Sequence, residues 1–161
     1  MLELDVVGVR VEMPSNNPIV LLRERSGQRC LPIWIGAVEA TAIAFAQQGV
    51  LPQRPLTHDL LKDVLDAVGA RLERVVITEM RDGTYFAELA FEDGANVSSR
   101  PSDSIALALR TGSPIVAPDS LLAEVGIIIN DEDSEDSELD EDEVAKFREF
   151  LEQVDADDFD P

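Results

Sequence analysis

The chain is short of the residues that usually announce a chemistry. Its 161 residues include one cysteine, one tryptophan, one tyrosine and one histidine. A single cysteine, Cys30, excludes an internal disulfide and any cysteine-based metal site. It lies in the apolar stretch CLPIWI and reads as a small buried hydrophobe rather than a nucleophile. Trp34 in the same stretch reads as core. A single histidine, His58, excludes Cys/His zinc sites and two-histidine sites. There is no Gly-rich phosphate loop, no GxSxG and no HExxH. No apolar run approaches the ~20 residues that a membrane span needs. Met1 leads into LELDVVGVRVE, with acids where a secretion signal would carry basic residues. The expectation is a cytoplasmic protein without a membrane segment.

Positive charge is scarce as well. Thirteen Lys and Arg stand against 33 Asp and Glu, for a net charge of −20. The excess is uneven: residues 130–161 hold 16 acids and 2 basic residues, whereas residues 1–129 hold 17 and 11. Nothing resembles the basic stripe that grips a phosphate backbone, so a role on nucleic acid needs a local arginine cluster or bridging metal ions. The change at Asn130 divides the chain into a domain of residues 1–129 and an acidic tail of residues 130–161. In the tail, DEDSEDSELDEDE reads as a self-repelling disordered linker. VAKFREFLEQV then places Val144, Phe147, Leu151 and Val154 at helical spacing, a short amphipathic helix.

What is abundant is pattern. LELDVVGVRVEM alternates on either side of a slip at Val6-Val7, a strand with a bulge. IVLLRE and RCLPIW complete an antiparallel meander, with Pro32 marking a short or edge strand. Residues 37–48 and 58–68 read as helices closed by Gly49 and Gly69, with Thr57 as an N-cap. Residues 71–81 and 84–92 form a hairpin through Arg81-Asp82-Gly83, and a short NVSS strand precedes a helix over 101–111. SPIVA reads as a brief strand and PDSLLAEVG as a short helix. The fold class is α+β: an antiparallel or mixed sheet of five to six strands packed with three to four helices.

Three of these helices carry an acid in the first turn: Glu39, Asp59 and Asp103. Taken singly, each reads as a carboxylate facing the positive end of a helix. Taken together with His58, they read as an oxygen-rich site for Mg²⁺ or Mn²⁺ of the kind that suits phosphoryl transfer. Arg54 and Arg100 each precede a proline, which holds the backbone extended; they read as a phosphate clamp or as partners of Asp59 and Asp103. Ser102 joins them as a candidate substrate contact. Apolar helix 37–46 and the IVAPDSLL segment offer more apolar surface than a small monomer hides, which predicts a homo-oligomer, a dimer first.

The stretches LPIWIGAVEATAIAFAQQG, RPLTHDLLKDVLDAVGA, DGTYFAEL and SSRPSDSIALALRTGSPI resemble, in order and spacing, the bacterial bifunctional nuclease family. The resemblance covers residues 1–129. It implies a compact α+β fold, a homo-oligomer and hydrolysis of phosphodiester bonds in DNA and RNA. The shared positions are Glu39, His58-Asp59 and Arg100-Pro101-Ser102-Asp103. On this reading Glu39, Asp59 and Asp103 are metal or water ligands, His58 is the acid or base, and Arg54, Arg100 and Ser102 bind substrate. The competing class is a non-enzymatic homo-oligomeric binding or regulatory module, in which the same groups cap helices and fix subunit contacts.

Overall fold

A computed structural model of the chain describes residues 1–12 and 16–129; the acidic linker and helix expected after residue 129 lie outside them. The first three strands are β1 (Leu2–Glu12), β2 (Asn17–Glu24) and β3 (Arg29–Trp34). They form the expected meander, and the register of β1 on β2 shifts between Val6 and Gly8, where the hydrophobic alternation slips. Helices α1 (Ala37–Gln48) and α2 (Thr57–Val68) follow. Both end on glycines in left-handed conformation, Gly49 and Gly69. The N-cap of α2 is Leu56 rather than Thr57, because the Asp59 carboxylate reaches back to the Leu56 N–H at 3.0 Å and starts the helix one residue earlier.

The hairpin of β4 (Leu72–Arg81) and β5 (Thr84–Phe91) turns through Asp82 and Gly83, both at positive φ. β6 (Asn96–Ser99) adds to its edge. Helix α3 (Pro101–Thr111) then carries the chain back across the sheet to β7 (Ile115–Ala117), which pairs parallel with β4 and antiparallel with β1. Helix α4 (Asp119–Val125) and β8 (Ile127–Ile128) close the domain. The sheet has eight strands in the order β6-β5-β4-β7-β1-β2-β3-β8, more than the five or six that periodicity predicted. The short segments of β6 and β7 read as strands from the sequence beyond that count, but β8 does not; it is two residues long and pairs only with Arg29 and Cys30. Nothing that short shows a period.

The crossover explains the apolar run in α3. The helix packs against β4 and β5 and against α1 and α2, and Ile105, Ala106 and Leu107 are all fully buried. Its charged mouth is satisfied locally: the Ser104 hydroxyl donates to the Arg100 carbonyl at 2.7 Å and meets the Ser99 hydroxyl at 2.6 Å. The small residues of α1 (Ala40, Ala42 and Ala44) are buried with Ile43 and Phe45.

Two expectations about surface are corrected. The α1 helix and the 115–122 segment are not spare apolar surface, since Ala40 to Phe45, Ile115 to Ala117, Leu121 and Leu122 are core. Val38 is exposed at the start of α1, and α2 exposes Leu60, Leu61, Val64 and Val68 while its His58 is buried. And Trp34 is not core but 54% exposed. Its neighbour Ile33 points into the core, and strand alternation turns the indole away from it. Among the described residues no helix is long and apolar enough to cross a membrane.

Candidate functional site

Arg100 is the N-cap of α3, held extended before Pro101. Its guanidinium joins two carboxylates from different helices. Nε donates to Asp103 Oδ2 at 2.8 Å, and one terminal nitrogen donates to Glu39 Oε1 at 2.7 Å. The other Asp103 oxygen lies 2.9 Å from His58 Nε2. The starts of α1, α2 and α3 thus converge on one line of groups, Glu39–Arg100–Asp103–His58.

Burial grades along this line. His58 is buried, Asp103 is about a third exposed, and the Arg100 side chain is 67% exposed. Burial works to raise the Asp103 carboxyl, but hydrogen bonds from Arg100 and then His58 outweigh it and hold the group below its ordinary value. Beside an ionised Asp103, His58 Nε2 is the ring nitrogen placed to donate. Asp103 and Glu39 in turn raise the Arg100 guanidinium, which stays charged.

Gly36 has a specific part in this geometry. A Cβ built on it would stand 2.4 Å from the Glu39 carboxylate, which lies against the backbone at the start of α1. A side chain at 36 would have to push Glu39 away from its bond to Arg100.

Asp59 does not join the line. Its Oδ1 accepts a 2.6 Å bond from Arg110 Nε, and Oδ2 caps Leu56. Arg110 also donates to the carbonyls of Ala106 and Ala42, and its side chain is 8% exposed. Burial pushes the Asp59 carboxyl up, but the Arg110 hydrogen bond and the Leu56 N–H together bring it below its ordinary value. The expected trio of carboxylates is therefore split between two arginines. Among the described residues no three of His, Cys, Asp and Glu are grouped to hold a metal ion. As arranged, Glu39, Asp59 and Asp103 do not fit a shared Mg²⁺ or Mn²⁺ site.

The candidate substrate contacts also separate. Arg54 lies on the exposed segment before α2 and makes no hydrogen bond among the described residues. Ser102 is buried at the first turn of α3 and lines, with Arg100, a cleft of about 420 Å³. Trp34, Gly36 and Tyr85 line the same cleft. Arg110, Trp34 and Tyr85 were not singled out from the sequence as site residues. The signal for Arg110 was a cation in the last turn of a wholly apolar helix, which must find a partner if the helix is buried.

Comparison with known proteins agrees with the motifs that surround this line. The chain is 53% identical over 159 residues to an uncharacterised protein of Mycobacterium tuberculosis, covering 98% of this chain and 97% of that one. It is 30% identical over 106 residues to Bifunctional nuclease 2 of Arabidopsis thaliana and 27% identical over 127 residues to Bifunctional nuclease 2 of Oryza sativa subsp. japonica. These matches cover 62% and 74% of this chain but span only 32% and 39% of the plant proteins. A profile described as "Bifunctional nuclease domain" matches residues 20–130, a span that contains Glu39, His58, Arg100 and Asp103. The chain that folds these four residues into one hydrogen-bonded line belongs to the bifunctional nuclease domain family.

Proposed function

We propose that this chain hydrolyses phosphodiester bonds in DNA and RNA, with His58 as the proton-transfer group. The observation that carries the reading is the Asp103–His58 hydrogen bond beside an exposed arginine, inside a domain matched by the nuclease family. Asp103 fixes the tautomer and orientation of the imidazole, as a carboxylate does in a hydrolytic triad. A histidine so held takes a proton from attacking water and returns one to the leaving oxygen, a contribution of about 10²–10⁴ in rate. Arg100 offers a phosphate the face of its guanidinium not used by Glu39 and Asp103, and Ser102 stands beside it.

Glu39 and Asp103 together carry one negative charge more than Arg100 offsets. Mg²⁺ or Mn²⁺ therefore enters this proposal as a variable of the assay. The test is hydrolysis of labelled single-stranded DNA and RNA by the full chain, with each metal and with a chelator. His58→Ala and Asp103→Asn should each lower the rate by roughly 100-fold or more. Unchanged rates in both variants, or no hydrolysis by the parent under any of these conditions, would overturn the reading.

A second reading rests on a separate observation. The outward stripe of Leu60, Val64 and Val68 on α2 favours a homo-oligomeric binding or regulatory module. Light scattering of the parent and of Val64→Glu tests it: a dimer that the charge dissociates supports assembly through α2, and a monomeric parent ends it.

A further inference from the structure

The tryptophan that strand alternation turns outward does not stand on an empty surface. Trp34 ends β3, Tyr85 begins β5 just after the Asp82-Gly83 turn, and Arg100 opens α3; all three line the same cleft. Its volume of about 420 Å³ is within the range of pockets that take small ligands. The indole is 54% exposed and Tyr85 is half-buried, and both residues line this opening together with Arg100.

We propose that this cleft is a subsite for one unpaired nucleotide, its base stacked on Trp34 and its phosphate on Arg100. The proposal rests on the nuclease reading for its biological setting and names the substrate form that the site takes. Charge favours this occupant over a duplex. The chain carries −20 and Arg100 is already shared by two carboxylates, so a grip built on many phosphate contacts is not available. Stacking needs no net charge and is worth about 1–3 kcal/mol per base. A duplex keeps its base faces covered by neighbouring pairs, whereas a single strand or a free nucleotide can offer one. The same argument makes binding only weakly dependent on salt, since about one phosphate is contacted.

Trp34 is the only tryptophan in the chain, so its fluorescence reads the subsite directly. The full chain would be titrated with adenosine 5′-monophosphate, adenosine, ribose 5-phosphate, a short single-stranded oligodeoxynucleotide and the same sequence as a duplex. The expected result is saturable quenching by the nucleotide and the single strand, weaker binding of adenosine, and none by ribose 5-phosphate or the duplex. Tighter binding of the single strand than of the nucleotide identifies the source as a polymer, and the reverse a free nucleotide. By equilibrium dialysis, Trp34→Ala should weaken binding roughly 5- to 150-fold, the fold-change equivalent to the stacking range, while Trp34→Phe keeps most of it. Quenching that is absent or rises without saturation, or affinity unchanged in Trp34→Ala, would overturn the proposal. Adenosine 5′-monophosphate has no phosphodiester bond, so its binding stands or falls independently of hydrolysis. Hydrolysis without quenching would remove the subsite and keep the nuclease; quenching without hydrolysis would do the opposite.

Discussion

Two arginines stand at opposite ends of α3 and do opposite work. Arg110, in the last turn, is buried against Asp59 and two backbone carbonyls, and every contact it makes ties α3 to α2 or α1 or closes α3's own turn. Arg100, at the entrance, binds two carboxylates, yet most of its side chain is exposed and it lines a cleft. The pairing chemistry is the same. Exposure separates them: a buried pair is costly to break because one charge is left without water or partner, and an exposed pair is cheap to open. The first belongs to the fold and the second is available to a ligand.

The sharpest way to break this comparison is Arg110→Ala. It should cost about 3–5 kcal/mol, lowering the melting temperature by roughly 10 °C, because Asp59 and the carbonyls of Ala42 and Ala106 lose their donor together. A loss below about 1 kcal/mol would show that the Arg110 end is no more structural than the Arg100 end. Next comes activity. Asp103→Asn should leave stability nearly unchanged and lower hydrolysis by roughly 100-fold, since asparagine keeps the shape but releases the charge that orients His58. Equal losses of stability and rate would mean that the open end is also a structural joint.

Acid sharpens the contrast. The folded-state value of Asp59 lies below its ordinary 3.8, so the unfolded chain takes up protons first as pH falls. Its stabilising contribution is whole above that ordinary value and is lost as pH drops through the depressed one. Denaturation between about pH 4 and pH 2 should therefore be steeper in the parent than in Arg110→Ala. Arg100→Ala should shift stability by about 1 kcal/mol or less at neutral pH. The smallest effect is expected from Gly36→Ala. Its backbone suits alanine (φ −78°, ψ 159°), so stability should move by less than about 1 kcal/mol. Displacing Glu39 should nonetheless loosen Arg100 and change nucleotide affinity a few-fold, a difference that fluorescence of Trp34 would register.

Much of the fold was legible because it is written in short-range pattern. The hairpin needed only Asp82-Gly83 between two alternating runs, and α1, α2 and α3 each stop at a glycine in left-handed conformation. The bulge near Val6 showed as a broken alternation. The site was legible only as a set of residues. His58, Asp103, Arg100 and Glu39 were named, but so was Asp59, and its true partner Arg110 is 51 positions away. Local spacing has no means of choosing between Arg100 and Arg110 for that carboxylate.

Sequence by itself determined the class of the chain, most of its elements and the kinds of group available to a site, because backbone preference and periodicity act over a few residues. It also determined that each amphipathic element has two unlike faces. Which face is covered was decided only by the tertiary structure. Trp34 sits in an apolar run and Leu60, Val64 and Val68 recur along α2, yet all four are exposed in the folded domain. Burial is a property of what packs on a surface, and the covering residues come from distant parts of the chain. The division of Glu39, Asp59 and Asp103 between two arginines has the same origin, since ion pairing depends on distances that only the assembled helices set.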